Sequence, residues 1–334
     1  MKILLSGFSE SFPDEWKELV ENRDFIYQPL DIKHQGEAIT AIQLRPLMDI
    51  AVKDEVDLII FSDIESNRII ISSRREKNGP FIFFNHHHLS AILTSLWVEM
   101  ENDKPLKCVK SIFISNIVEE ICNKNEVRCG NFYDFFEDLP QAINQRYLKN
   151  ENRIYFGFDN DQGVVHTGFS TLEILEQLIQ LEENQKVKEE TTFDYLISLF
   201  QQYGFYKTKT ISVDYSDKSH KKNYLGLLDK IRKRPTAIDY ILKIEKIVDF
   251  KKGLKRNLLT GKNTEIRPLD IDLMKIQTDQ NLSLLLHADE ERMVFYISTK
   301  ASIGSKVNYP ETSKSIDVEM FRIVQVLNKL LVNI

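Results

Sequence analysis

Residues 56–71 read VDLIIFSDIESNRIII, and the fold class follows from this segment. The apolar run at 56–61 predicts a buried strand, residues 63–68 predict a polar loop, and the isoleucines at 69–71 predict another strand. Near the N-terminus, Ile3 to Leu5 predict a strand that precedes a helix with Trp16 and Leu19 on one face. Short buried strands that alternate with helices indicate an α/β architecture.

The same pattern restarts further along the chain. A predicted strand at 109–114 is followed by a helix that carries Ile117 and Ile121. Ser170-x-x-Glu173 has the spacing of a capping box ahead of one helix. Thr191-x-x-Asp194 opens the next helix, which Gly204 can close. A strand-like run at 207–213 precedes a polar stretch and two basic segments. The strand-like runs 282–286 and 293–297 and an amphipathic helix at 320–331 then predict a small α+β domain at the C-terminal end.

The composition limits the classes of protein. The chain has 334 residues, 44 Lys+Arg against 50 Asp+Glu and a net charge of −6, which argues against a basic nucleic-acid coat. At 42% hydrophobic residues it can bury two or three cores. Three cysteines without Cys-x-x-Cys spacing support neither a disulfide framework nor a zinc site. The first apolar run is too short for a signal peptide or a membrane span, so we expect a cytoplasmic protein that binds no membrane.

The order of these loops resembles the α-D-phosphohexomutase superfamily, which includes phosphoglucomutase and phosphomannomutase. In that family a strand ends in an Asp-x-Asp-x-Asp-Arg loop that binds a divalent metal. The matching positions here are Asp63, Glu65 and Asn67, followed by Arg68. The resemblance implies that these three side chains are the candidate ligands of Mg²⁺. The alternative interpretation is a polar turn in which Asp63 and Asn67 bind backbone amides.

A second motif concerns sugar recognition. The family loop Gly-Phe-Glu-Glu-Ser-x-Gly is similar to residues 157–163, so the resemblance implies that Asp159, Asn160 and Asp161 contact a sugar. The alternative is a hydrogen-bonded turn. The family segment Thr-Gly-Phe-Lys resembles residues 129–132, where Phe132 stands in place of the lysine.

The phosphate-binding motif differs most. The family loop Arg-Pro-Ser-Gly-Thr-Glu corresponds to residues 286–291, LHADEE, which makes His287, Asp289 and Glu290 a degenerate phosphate loop. Acidic residues repel a phosphate dianion, whereas guanidinium and hydroxyl groups bind it. No Ser-His-Asn-Pro-like segment, which carries the family's phosphorylated serine, occurs in the sequence.

The resemblance implies an α/β fold class with two phosphohexomutase-like α/β domains with mixed sheets and a small C-terminal α+β domain. The expected limits are 1–85, 86–250 and 251–334, similar to the second, third and fourth domains of the family.

The histidine tract and the basic runs are interpreted as structural features and not as binding sites. The consecutive histidines at 86–88 do not face one centre, so we expect imidazoles on a polar helix start. The basic runs at 230–234 and 251–256 predict solvated faces and no nucleic-acid partner.

The combined changes favour a catalytically inactive phosphohexomutase-like protein, with no catalytic residue and no cofactor except weakly bound Mg²⁺. Such a protein acts by binding a protein partner or by self-association. The alternative is a sugar-phosphate-binding protein or an active phosphohexomutase that obtains its phosphoserine domain from another chain. Saturable binding of a sugar phosphate discriminates between these functions.

Overall fold

The computed structural model describes residues 1–7, 12–30, 43–63, 68–100, 107–132, 155–158, 165–167, 171–216, 218–235, 243–278, 281–288 and 290–332. Contacts divide the chain into two compact units, Met1–Tyr203 and Gly204–Ile334. Each unit has buried apolar residues on its own strands and helices. No helix in these described ranges is both long and apolar enough to cross a membrane.

The first sheet of the Met1–Tyr203 unit is mixed. Its strands are β1 (Lys2–Ser6), β2 (Asp24–Tyr27), β3 (Leu58–Asp63), β4 (Arg68–Arg74) and β5 (Phe81–Phe84). Their order is β2-β1-β3-β4-β5, with β1 parallel to β2 and β3, and β4 antiparallel to β3 and β5. Ile3, Leu4 and Leu5 are fully buried in β1, which is typical of a strand covered on both faces. The strands predicted around residues 56–71 are confirmed.

Three helices belong to the same part of the chain: α1 (Lys17–Val20), α2 (Arg45–Lys53) and α3 (His86–Met100). A short 3₁₀ turn, Asp14–Trp16, precedes α1. Trp16 and Leu19 are buried, as their helical spacing predicted. Leu47 and Ala51 form the buried face of α2, one turn apart, and pack with Leu4 in the core of this sheet.

A second mixed sheet lies in the same unit. It contains β6 (Lys107–Ser111), β7 (Arg128–Phe132), β8 (Tyr155–Phe158) and β9 (Val165–Thr167), in the order β7-β6-β8-β9. Helix α4 (Ile117–Lys124) connects the parallel strands β6 and β7, because parallel neighbours need a crossover. The strand predicted to reach Ile114 is wrong beyond Ser111. There the chain turns, and the Ile114 amide donates to the Ser111 carbonyl at 3.1 Å.

Two longer helices complete the Met1–Tyr203 unit: α5 (Thr171–Val187) and α6 (Thr192–Tyr203). Helix α5 follows the second sheet in sequence but is joined to the first one by ion pairs. Arg23 binds Glu176 at 2.8 Å and Glu183 at 3.1 Å. Lys186 binds Asp57 at 2.6 Å. These contacts attach α5 to the residues that immediately precede β2 and β3 of the first sheet.

The Gly204–Ile334 unit is built on a seven-stranded sheet of order β10-β16-β15-β14-β11-β12-β13. Its strands are β10 (Phe205–Asp214), β11 (Ile244–Asp249), β12 (Leu254–Asn257), β13 (Asn263–Glu265), β14 (Asp272–Thr278), β15 (Leu282–Ala288) and β16 (Arg292–Ala301). All neighbouring strands are antiparallel. The helices are α7 (Lys218–Lys233) and α8 (Tyr309–Val332).

The predicted fold class is confirmed, since two mixed α/β sheets precede an antiparallel α+β unit. The domain limits 1–85, 86–250 and 251–334 stay a prediction. The last sheet takes strands from both sides of residue 250, because β10 and β11 precede it in sequence and pair with later strands.

Candidate functional site

The predicted metal loop lies between β3 and β4. Asp63 is the last residue of β3 and pairs with Arg68, the first residue of β4. The loop therefore closes an antiparallel hairpin. Glu65 and Asn67 lie outside the described residues. The assignment of Asp63, Glu65 and Asn67 to Mg²⁺ stays a prediction.

The predicted sugar loop joins β8 to β9, which are antiparallel. Their closing pair is Phe158 and Val165. Asp159, Asn160 and Asp161 lie outside the described residues, so their contact with a sugar also stays a prediction.

The degenerate phosphate loop is the turn of the hairpin formed by β15 and β16. The last pair of this hairpin is Ala288 and Met293. Leu286, which the resemblance places at the position of the family arginine, is 0% exposed and lies between Met274 and Phe295 in the sheet. His287 is also buried, Glu290 is exposed, and Asp289 is not among the described residues. The side chain at the arginine position therefore faces an apolar core.

The backbone around this turn accepts hydrogen bonds from neighbouring groups. The Lys221 ammonium donates to the carbonyl oxygen of Glu290 at 3.1 Å, and the Tyr215 amide donates to that of Glu291 at 2.9 Å. Lys221 also lies 5.9 Å from the centre of the Tyr215 ring. The turn thus combines the exposed Glu290 with the Lys221 ammonium, and both of these carbonyl oxygens already accept a hydrogen bond.

Two cations of the basic runs form ion pairs within the protein. Arg232 is largely buried and binds Asp249 at 3.1 Å and Asp272 at 2.7 Å. Lys251 binds the other carboxylate oxygen of Asp272. These cations are paired within the protein, so the expectation of a fully solvated face is wrong for Arg232.

The three consecutive histidines begin α3. His87 is buried, and its Nδ1 accepts a hydrogen bond from the Ser115 amide at 3.2 Å. Burial holds the pKa of His87 well below its ordinary value, with a smaller effect from the neighbouring histidines and Lys110. A neutral imidazole is therefore fixed between α3 and the turn after β6. The prediction of imidazoles on a polar surface is wrong for this residue.

The structure brings together three cysteines that are distant in sequence. Cys108 on β6 pairs in parallel register with Cys129 on β7, so both side chains point to the same face. Cys122 lies on the buried face of α4, the helix that crosses over from β6 to β7. The three Sγ atoms lie within 4.8 Å of one another. Their spacing in sequence shows no metal motif, and only the strand-helix-strand arrangement, with its register, indicates this convergence.

The cysteine cluster has a distinct electrostatic environment. Burial raises the pKa of Cys108 well above its ordinary value. Hydrogen bonds from Cys108 and Cys122 lower the pKa of Cys129, and the charge of Lys110 contributes in the same direction. Lys110 is fully buried, binds Glu119 at 3.2 Å and donates to the Ile114 carbonyl at 3.1 Å. The cluster therefore combines free thiols with a nearby buried cation.

Comparison with known sequences supports the resemblance. No protein-family model matches the chain. A phosphoglucomutase from Staphylococcus saprophyticus subsp. saprophyticus is 22% identical over 218 residues, which are 64% of this chain and 39% of that protein.

Two solved structures extend the comparison. A phosphoglucomutase/phosphomannomutase family protein from Burkholderia thailandensis has a TM-score of 0.56 at 9% identity, over 99% of this chain and 60% of its own. The exocytosis-sensitive phosphoprotein pp63/parafusin of Paramecium, a phosphoglucomutase in its open form, has a TM-score of 0.52 at 11% identity, over 85% and 49%. This chain thus spans only part of the length of each relative. It is similar in sequence to a phosphoglucomutase, and it has the fold of the phosphoglucomutases and phosphomannomutases of the α-D-phosphohexomutase superfamily.

Proposed function

We propose that this chain is a catalytically inactive phosphohexomutase-like protein that acts by binding a protein partner or a second copy of itself. The observation that carries the inactive part of this proposal is the hairpin of β15 and β16. At the position of the phosphate-binding arginine, Leu286 is buried with 0% exposure. A guanidinium at that buried position would lose its hydration beside Met274 and Phe295.

The chemistry of the turn supports the same function. Phosphate binding needs amide, hydroxyl and guanidinium donors around the oxygens of the dianion. Ala288 stands at the serine position of the family loop and is buried. The next three residues, 289–291, are all acidic in sequence. Two unit charges of like sign about 4 Å apart repel by about 1 kcal/mol even in water, so this turn disfavours a dianion.

The binding part of the proposal rests on helix α8. Its inner face buries Ile316, Met320 and Ile323. On the outer face Val318 and Phe321, one turn apart, are 47% and 56% exposed. We infer that these two neighbouring apolar side chains form the centre of the contact, because extended apolar patches on a protein surface mark interaction sites. We place this protein in the cytoplasm and propose that its function needs no cofactor, with Mg²⁺ held weakly at Asp63, Glu65 and Asn67.

A thermal-shift titration together with a turnover assay tests the inactive part. The ligands are glucose 1-phosphate, glucose 6-phosphate and mannose 6-phosphate, each with and without Mg²⁺. A ligand that prefers the native state raises the apparent melting temperature. We expect no saturable rise and no interconversion of hexose 1- and 6-phosphates above a heat-inactivated control. Saturable stabilisation or turnover would overturn the proposal in favour of a sensor or an active mutase.

A charge variant sharpens this experiment. In Glu290→Ser combined with Glu291→Ser, two carboxylates of the turn are removed while the strands remain. If repulsion by the turn excludes the ligand, the double variant gains a weak saturable shift with sugar phosphates. The matched control is Glu265→Ser, which removes an exposed carboxylate of the same unit from β13. An equal gain in the control would show that general surface charge, and not the turn, is responsible.

A further inference from the structure

One group of metal-binding side chains with converging donor atoms occurs among the described residues, and it consists of Cys108, Cys122 and Cys129. We propose that these three cysteines form a trithiolate binding site for a soft, closed-shell divalent metal ion of the Zn²⁺ and Cd²⁺ class. This proposal does not rest on the proposed function. Sugar-phosphate assays neither support nor contradict it.

The geometry fits such an ion. With a metal–sulfur distance of about 2.3 Å, the sulfurs of a tetrahedral site lie about 3.8 Å apart. The three Sγ atoms already lie within 4.8 Å of one another. Closing the site therefore shortens the longest Sγ–Sγ distance by about 1 Å at most. The backbone supports this placement, since the Val127 amide before β7 donates to the Cys122 carbonyl at 2.9 Å.

The donor set selects the class of metal. Thiolates are soft ligands that favour Zn²⁺ and similar ions over Mg²⁺ and Ca²⁺, which prefer oxygen. Cys108 and Cys122 are buried, whereas Cys129 is only half-buried, so the ion enters from the side of Cys129. Three protein ligands leave a fourth position for water or another small ligand.

The charge balance also fits. Binding proceeds as M²⁺ + 3 RSH → [M(SR)₃]⁻ + 3 H⁺, with no oxidant or reductant. The product carries one negative charge in a largely buried place, which is costly unless a cation lies nearby. Lys110 lies two residues after Cys108 on β6, and its ammonium is fully buried. Lys110 also forms an ion pair with Glu119 at 3.2 Å, and 31% of the Glu119 side chain is exposed.

A pairwise disulfide is the competing chemistry. Cys108 and Cys129 are neighbours on parallel strands and would be the first pair to form one. A disulfide leaves the third sulfur without a role, whereas a metal ion uses all three. The convergence of three sulfurs therefore favours the metal.

Titration of the reduced, metal-free full chain with Cd²⁺ tests the proposal. The readouts are thiolate-to-Cd²⁺ charge-transfer absorption, native mass spectrometry and proton release, followed by competition with Zn²⁺. The sequence contains three cysteines in total, so a thiolate band has no other source in this chain. We expect one ion per chain, displacement by Zn²⁺ and release of about three protons or fewer, because the ligands bind as thiolates.

Two variants test whether Cd²⁺ binding depends on the cysteine ligands. Cys129→Ser removes the half-buried ligand and should weaken binding by more than roughly 100-fold, since loss of an outer partner already costs 10–100-fold. Asn123→Ser, at the exposed position next to Cys122, should bind like the wild type. The proposal would be contradicted if the wild type showed no thiolate-to-Cd²⁺ absorption band, or if the band were unchanged in Cys129→Ser. Formation of a Cys108–Cys129 disulfide in a chain that binds no Cd²⁺ would also contradict it.

A measurement on the wild type covers the case in which Cys129→Ser does not fold. Bound Zn²⁺ should protect Cys129 from alkylation, and removal by a chelator should restore labelling. Equal labelling with and without Zn²⁺ would contradict the proposal independently of any variant.

Discussion

Glu182 is a buried carboxyl group in the Met1–Tyr203 unit, where only 3% of the residue is exposed. Its Oε2 accepts hydrogen bonds from the Ser73 hydroxyl at 3.2 Å, from the Thr192 amide at 3.1 Å and from the Thr192 hydroxyl. Burial raises the pKa of Glu182, and these hydrogen bonds offset only part of that effect. The side chain therefore links α5, α6 and β4 while favouring its protonated form.

The raised pKa of Glu182 predicts a pH-dependent effect of Glu182→Gln. A carboxyl whose pKa is higher in the folded state stabilises the fold below its unfolded pKa, and this contribution is lost as pH rises through the folded pKa. From the ordinary value of 4.5 upward, the wild type should therefore lose free energy of unfolding relative to the glutamine variant. Urea denaturation at a series of pH values measures this difference.

The control for that series is Glu190→Gln, which changes an exposed glutamate in the turn between α5 and α6. Its stability should follow the wild type at every pH. Parallel curves for the wild type and Glu182→Gln would show that this carboxyl does not carry the pH dependence.

Helix α6 illustrates how local sequence fixes an element. The Thr191 amide donates to Asp194 Oδ2 at 3.0 Å, and the Asp194 amide donates to Thr191 Oγ1 at 3.3 Å. This reciprocal pair forms a capping box at the predicted start of the helix. At the other end Gly204 has φ +98°, a left-handed conformation that glycine adopts without strain. Both predicted ends of the helix are confirmed.

The capping box predicts the effect of Thr191→Ala. Loss of the hydroxyl leaves a helix-start amide without its acceptor, which should lower the free energy of unfolding by about 1 kcal/mol. Thr191→Ser keeps the oxygen and should retain most of the stability. Chemical denaturation of the two variants measures this, and an equal loss in both would assign the effect to the methyl group.

At the scale of the whole molecule, the outer face of α8 predicts that two copies of the chain associate, although the net charge of −6 on each copy opposes this. Val318 and Phe321 form an adjacent apolar pair on that face. A surface of this kind, repeated on each copy, allows a symmetric contact between two chains. Association should therefore depend on protein concentration.

Phe321→Asp tests this contact. A carboxylate at the centre of an apolar interface loses hydration without gaining a partner, so association should weaken. Size-exclusion chromatography with light scattering at several concentrations should show a lower mass for the variant. Val307→Asp, at an exposed apolar position before α8, is the matched control. A wild type that is monomeric at every concentration and co-purifies with no protein would contradict the proposed mode of action.

Much of the fold was predictable, because its signals are local. The buried run of β1, the strands of the β3–β4 hairpin and the ends of α6 depend on residues within a few positions of each other. The acidic character of the segment after β15 was also predictable, because residues 289–291 are consecutive acidic residues in the sequence. The burial of Leu286 required the paired strands on both sides of β15.

Other features depend on which distant segments pair. The strand β10 joins the same sheet as β16 although α7 and five strands separate them in sequence. Arg232 finds Asp249 and Asp272 only once β11 and β14 are neighbours. The three cysteines meet because β6 and β7 are parallel and α4 crosses between them. Sequence spacing specifies hydrogen bonds and faces within one element, whereas contacts between elements follow from sheet order and register, which become fixed only when the apolar faces pack.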